Sequence, residues 1–148
     1  MEFLIIAAGL VIDRLTKLWA LNSLSKGNDV VVIKNIFSFS YLENRGAAFG
    51  IFQNKVLFLS ILTSLVILGM IVYIVKYKPQ SKMLRYSLAM IISGAVGNLI
   101  DRFAYKFVVD FILLHYKDVY YYPTFNVADM LVVVGTILLS ICILKDEK

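Results

Sequence analysis

Residues 56–75 read Val-Leu-Phe-Leu-Ser-Ile-Leu-Thr-Ser-Leu-Val-Ile-Leu-Gly-Met-Ile-Val-Tyr-Ile-Val, with no charged side chain. A membrane-crossing helix needs about 20 apolar residues, and this stretch supplies them without interruption. Ser60, Thr63 and Ser64 can return their hydroxyls to helix carbonyls, so they are tolerable in lipid. The stretch sets the class of the whole chain. Of 148 residues, 60% are hydrophobic and only 17% charged, whereas a soluble domain has about half apolar and a quarter charged. Mean hydropathy is +0.81. Such a chain is too apolar for a disordered protein. Four spans would use about 80 residues, which rules out a large extramembrane domain or a separate nucleotide fold.

Working outward, further apolar blocks lie at about 3–21, 84–103 and 125–144. The first is not a signal peptide in pattern: Met1-Glu2 is no basic leader, and Asp13, Arg14 and Lys17 interrupt the core. The expectation is a membrane all-α fold of four transmembrane helices, forming one integral membrane domain over 1–148. Between the second and third spans lie Lys76, Lys78, Lys82 and Arg85 with no acid. Short loops rich in Lys and Arg stay cytoplasmic, so both termini are expected inside. Segments 22–55 and 104–124 then face outward. Val30–Tyr41 is β-branched and aromatic and alternates over Ile36-Phe37-Ser38-Phe39-Ser40-Tyr41, which predicts a small β-rich segment lying on the outer membrane surface. Tyr120, Tyr121 and Tyr122 suit the headgroup region.

The net charge of +5 serves topology here, and no nucleic-acid module accompanies it. One cysteine, Cys142, and one histidine, His115, are poor material for a disulfide or a His/Cys metal centre. Cys142 is expected as packing at the cytoplasmic end, His115 as a surface residue and Trp19 as an interfacial anchor.

A charge at bilayer depth costs roughly 2.5–3.5 kcal/mol, so it usually has a partner. Asp13 and Lys17 are four apart on one helical face. Spacing alone favours a plain ion pair over a functional clasp. Gly94, Asn98 and Arg102 share a face, with Gly97 and Asp101 about 100° around; the glycines allow close helix approach. Asp110 sits in an apolar setting, and Asp129 opens the fourth span, with Asn126 three residues before it. Two readings of these acids stand. In one, Asp129 is a helix N-terminal acid and Asp110 a turn residue. In the other, the outer loop brings them together as a pair that shares a proton, serving as base toward water and acid toward a leaving amine.

Five motifs in series then carry a resemblance. They are Asp13-Arg14-Leu15-Thr16-Lys17, Glu43-Asn44-Arg45-Gly46-Ala47-Ala48-Phe49-Gly50, Gly94-Ala95-Val96-Gly97-Asn98-Leu99-Ile100-Asp101-Arg102, Val108-Val109-Asp110-Phe111 and Phe125-Asn126-Val127-Ala128-Asp129. Over nearly its whole length the chain resembles the lipoprotein signal peptidase (signal peptidase II) family. The resemblance implies a bacterial membrane aspartic endopeptidase that cuts prolipoproteins just before a diacylglyceryl-modified cysteine. It places the catalytic dyad on Asp110 and Asp129, at the extracytoplasmic side of the cytoplasmic membrane. Supporting polar residues fall on Asp13, Lys17, Asn44, Asn98, Arg102 and Asn126, and the turn at Gly46 allows close main-chain approach. No metal or organic cofactor is implied. The partners are the lipidated precursor and membrane lipid, no nucleic acid is involved, and a monomer is expected. Two other classes remain open on the residues themselves. One is an ion relay through Asp13, Lys17, Asp101 and Arg102. The other is a non-catalytic assembly subunit packed through Gly94 and Gly97.

Overall fold

A computed structural model describes residues 1–47, 51–117 and 119–146. Ala48, Phe49 and Gly50 of the second motif therefore lie outside the described residues, as do Glu147 and Lys148 of the tail. Four helices run over Glu2–Ser23 (α1), Val56–Tyr77 (α2), Lys82–Tyr105 (α3) and Val127–Asp146 (α4). Three of them are long and apolar enough to cross a membrane. The first, with Asp13, Arg14 and Lys17 in its core, is not, so the expectation of four spans is met in helix number and, by composition, in three helices.

Helix ends follow local chemistry. Ser81 accepts a hydrogen bond from the Leu84 N–H at 3.3 Å and starts α3. Lys78 closes α2 in the left-handed region at φ 44°, and Pro79 after it cannot continue the helix. The Ser60 and Ser64 hydroxyls donate to carbonyls four residues back, each at 2.8 Å, so their polarity is satisfied within the helix as expected.

α3 is the central helix and packs on the other three. Its small residues explain the closeness. A Cβ on Gly94 would run into the Ala128 carbonyl oxygen and meet Val132 Cγ2 at 2.8 Å, and one on Gly97 would lie 2.6 Å from Asp13 Oδ2. α2 touches mainly α3 and turns Leu57, Leu65 and Val75 outward, all at least 60% exposed. Apolar side chains presented outward along a whole helix suit lipid as solvent and not water.

The extramembrane part is a four-stranded antiparallel sheet in the order β1 (Val30–Ile33), β2 (Phe37–Asn44), β3 (Val108–Tyr116), β4 (Tyr120–Tyr121). The sequence pointed to the 30–41 part of it. The larger part is a correction: Asp110 lies on strand β3 and not in a turn. Periodicity missed β3 because Val108, Val109, Asp110 and Phe111 are buried in succession and leave no alternation. β2 pairs with it in the register Phe37↔Leu114, Leu42↔Asp110 and Asn44↔Val108, with an irregularity between Phe39 and Leu42. The sheet grips α1 through the buried residues Ala20, Leu24, Val109 and Phe111. Trp19 is edge-on to Phe39 and Phe111, at 5.2 and 6.1 Å between ring centroids, so it anchors the sheet to the helix while remaining 40% exposed. His115 Nε2 lies 3.3 Å from Ser38 Oγ, and its ring stacks on Tyr121. Cys142 is buried, 3.5 Å from Ser81 Oγ.

The α3–α4 contact gives a test. Gly94→Ala is expected to destabilise the protein by about 1–3 kcal/mol, read as a lower unfolding temperature in detergent micelles. Gly69→Ala has nothing within 4 Å of the added methyl and should leave that temperature unchanged or raise it. Equal behaviour of the two variants contradicts the close approach at Gly94.

Candidate active site

α3 ends at Tyr105, and β3 begins only three residues later, so Asp110 follows Asn98, Asp101 and Arg102 closely in space. The other half of the site arrives through Phe125. Its carbonyl accepts from the Phe111 and Ile112 N–H groups at 3.1 and 2.9 Å, and its own N–H donates to the Ile112 carbonyl at 3.1 Å. This pins the start of α4 beside β3. The 19-residue separation of Asp110 and Asp129 is thereby spanned by a strand, a turn and a short bridge.

Asn126 joins the two acids. As the residue before α4, it accepts from the Asp129 N–H through Oδ1 at 2.9 Å, and Asp129 Oδ2 accepts the Asn126 N–H at 3.1 Å. This is the reciprocal cap of a helix N-terminus, so the N-terminal-acid reading of Asp129 is true as geometry. The same Asn126 sends Nδ2 to Asp110 Oδ1 at 2.6 Å. Asn44 Nδ2 donates to Asp110 Oδ2 at 2.9 Å, and Asn98 Nδ2 to Asp129 Oδ1 at 2.7 Å. Each of the four carboxyl oxygens thus has one protein donor and keeps a lone pair for water or another ligand.

The amide orientations are forced by what lies behind them. Lys17 Nζ can only donate, and it donates to Asn98 Oδ1 at 2.9 Å. Asn98 must therefore turn its NH2 toward Asp129. Lys17, fully buried, also contacts Asp13 Oδ2 and Asp101 Oδ2, both at 3.0 Å, which uses all three ammonium hydrogens. Asp13 Oδ1 accepts from the Ala128 N–H at 2.9 Å and so ties α1 to the first turn of α4. The spacing-based preference for a plain Asp13–Lys17 pair was too modest, because the pair is part of a network that reaches both acids.

Arg102 donates to the Gly46 carbonyl at 3.2 Å. The Gly46 N–H in turn donates to Asn44 Oδ1 at 2.9 Å. A Cβ on Gly46 would lie 2.7 Å from the Ile51 carbonyl oxygen, so the tight main-chain approach expected there exists within the loop itself. All nine residues singled out from sequence converge on this one region.

Arg14, Asp101 and Tyr105 were not among them. Asp101 is 1% exposed. Its Oδ1 accepts from Arg14 at 3.2 Å and its Oδ2 from the Val109 N–H at 3.1 Å. Arg14 also donates to the Tyr105 hydroxyl at 2.6 Å. The signal that could have found Arg14 and Asp101 is charge balance: Asp13, Arg14, Lys17, Asp101 and Arg102 on α1 and α3 each need a partner. Ser93 on α3 donates to the Ile6 carbonyl of α1 at 3.1 Å.

Asp110 is buried, whereas Asp129, Asn44 and Arg102 are part-exposed, so the site opens on their side. Burial pushes the Asp110 carboxyl up, and the charge of Asp129 adds to it. The donors Asn44 and Asn126 pull the other way, with the outcome at about 7. A pair of carboxyls fixed by amides and open on one side, one of them with a raised proton affinity, can take a proton from water and give one to a substrate.

The family profile described as Signal peptidase (SPase) II matches residues 5–145. The chain is 60% identical to a lipoprotein signal peptidase of Clostridium novyi (strain NT), over the full length of both. It is 59% identical to another from Clostridium tetani (strain Massachusetts / E88), with 99% of this chain and 94% of that one covered. A solved bacterial membrane enzyme superposes with a TM-score of 0.90 at 30% identity, covering 99% of this chain and 89% of the other. With a family match over almost all of its residues, the chain belongs to the signal peptidase II family of membrane peptidases.

Proposed function

We propose that residues 1–148 form one aspartic endopeptidase domain that removes signal peptides from diacylglyceryl-modified prolipoproteins, cutting just before the lipidated cysteine. In this reading Asp110 and Asp129 are the catalytic pair. Asn126 is the observation that carries it, because one side chain caps Asp129 and donates to Asp110. The four helices all cross the membrane, α1 sheltering its charges against α3. The Lys76–Arg85 link lies in the cytoplasm. The acids, at the other end of α3, then face the extracytoplasmic side, with the sheet at the headgroups. Nothing in the reading requires more than one copy of the chain.

The chemistry follows from the raised Asp110 carboxyl, which serves as the acid. Asp129 takes a proton from water as the water oxygen bonds to the scissile carbonyl carbon. Asp110 gives its proton to the carbonyl oxygen, producing a neutral diol. The C–N bond then breaks as Asp129 passes its proton to the leaving nitrogen, and a diol hydroxyl returns one to Asp110. Both carboxyls end as they began, and no charge accumulates in a low-dielectric site. Asn44, Asn98, Arg102 and Asn126 hold the acids and offer polar edges to an extended substrate, whose amides need partners in lipid. Gly46 keeps the loop main chain close, and Asp13 with Lys17 locks the helices behind the pair.

Three outcomes are expected with a diacylglyceryl prolipoprotein in detergent. Asp110→Asn and Asp129→Asn should each lower cleavage by about 10³-fold or more while folding normally. Either one cutting at the wild-type rate refutes the pair. The second outcome concerns pH. The raised Asp110 carboxyl is protonated below about 7, so the wild-type rate should fall roughly tenfold per pH unit above that value. A rate that stays flat to pH 9 contradicts Asp110 as the acid. Finally, the unlipidated precursor should be cut far more slowly, and equal rates overturn the assigned substrate class.

A further inference from the structure

We infer that Asp101, on α3, is a positioning residue that sets the placement of both carboxyls from behind; the inference rests on the Asp110–Asp129 reading above. Its Oδ2 holds two groups at once. One is the Val109 N–H at 3.1 Å, in the residue immediately before Asp110 on β3. The other is Lys17 Nζ at 3.0 Å. Lys17 passes the constraint to Asn98 Oδ1 at 2.9 Å, and Asn98 passes it to Asp129 Oδ1 at 2.7 Å. One buried oxygen thereby fixes the strand that carries one acid and the amide that faces the other.

The remaining oxygen, Oδ1, takes Arg14 at 3.2 Å. Arg14 is 35% exposed along its side chain and closes the network on the outside. Every neighbour of Asp101 is a donor, so only a carboxylate satisfies them all. An amide in its place has a single acceptor atom. It must either turn its NH2 against Arg14 or abandon Lys17 and Val109.

That conflict gives a test in which a positioning role and simple structural support diverge. Asp101→Asn is expected to lower kcat by about 10- to 100-fold, with KM for the lipidated precursor changed by no more than about twofold. Adding Arg14→Gln removes the opposing donor. The amide oxygen can then face Lys17 and Val109, and most of the lost kcat should return. Asp101→Ala with Arg14→Gln has no acceptor to offer and should stay low. If Asp101→Asn alone does not fold, the comparison of the two double variants decides the matter. Wild-type kcat in Asp101→Asn overturns the inference, and so does equal activity of the two double variants. Asp110→Asn assayed in parallel separates the failures. If it cleaves, the catalytic reading itself falls; if it is dead while Asp101→Asn is normal, only the positioning role is lost.

Discussion

A fully buried ammonium, Lys17, organises this molecule. A charge taken out of water is stable only with close partners that use its hydrogens, and removing one partner of such a pair typically costs about 3–5 kcal/mol. Lys17 meets that demand with Asp13 from its own helix and with Asp101 and Asn98 from α3. Asp13 and Asn98 spend their second atom elsewhere, and Asp101 uses Oδ2 for a second group as well as for Lys17. Asp13 caps α4, Asp101 holds the start of β3, and Asn98 faces Asp129. Three helices and the sheet therefore meet at one cation, and the two acids sit on its outer side.

The arrangement reconciles two needs that conflict in lipid. Polar groups there are costly unless satisfied, yet hydrolysis needs groups with unused capacity. Among the described residues the network gives each oxygen of the two carboxyls one donor, and Asp129 stays part-exposed. Among the described residues no buried side-chain nitrogen or oxygen lacks a partner. The glycines at 94 and 97 bring α3 near enough to α4 and α1 for this to happen, because a methyl at either position would intrude on Ala128 or Asp13.

Much of this was legible in the sequence, for stated physical reasons. The uncharged run 56–75 specified a membrane helix, and helix boundaries elsewhere came within about two residues. The spacing of Asn126 and Asp129 placed them on one face, and their mutual capping is the local consequence. What the sequence hid was non-local. Val108–Tyr116 looked like part of an outer segment because its first four residues are buried in succession without alternation, and its partner β2 lies more than sixty residues earlier. Asp101 entered the sequence reading as a member of an ion relay and not as a residue of the peptidase site, since its contacts run to a strand amide and to a lysine from another helix. Neither contact leaves a periodic trace.

The proposed chemistry depends on Asp110 holding a proton beside Asp129 at neutral pH and below. Infrared difference spectra of wild type against Asp110→Asn, recorded across a pH series, test it most directly. The account predicts a carboxylic-acid carbonyl band that belongs to Asp110, is present at pH 5, and fades through about 7. Absence of any such band at pH 5, or its survival in Asp110→Asn, would contradict it.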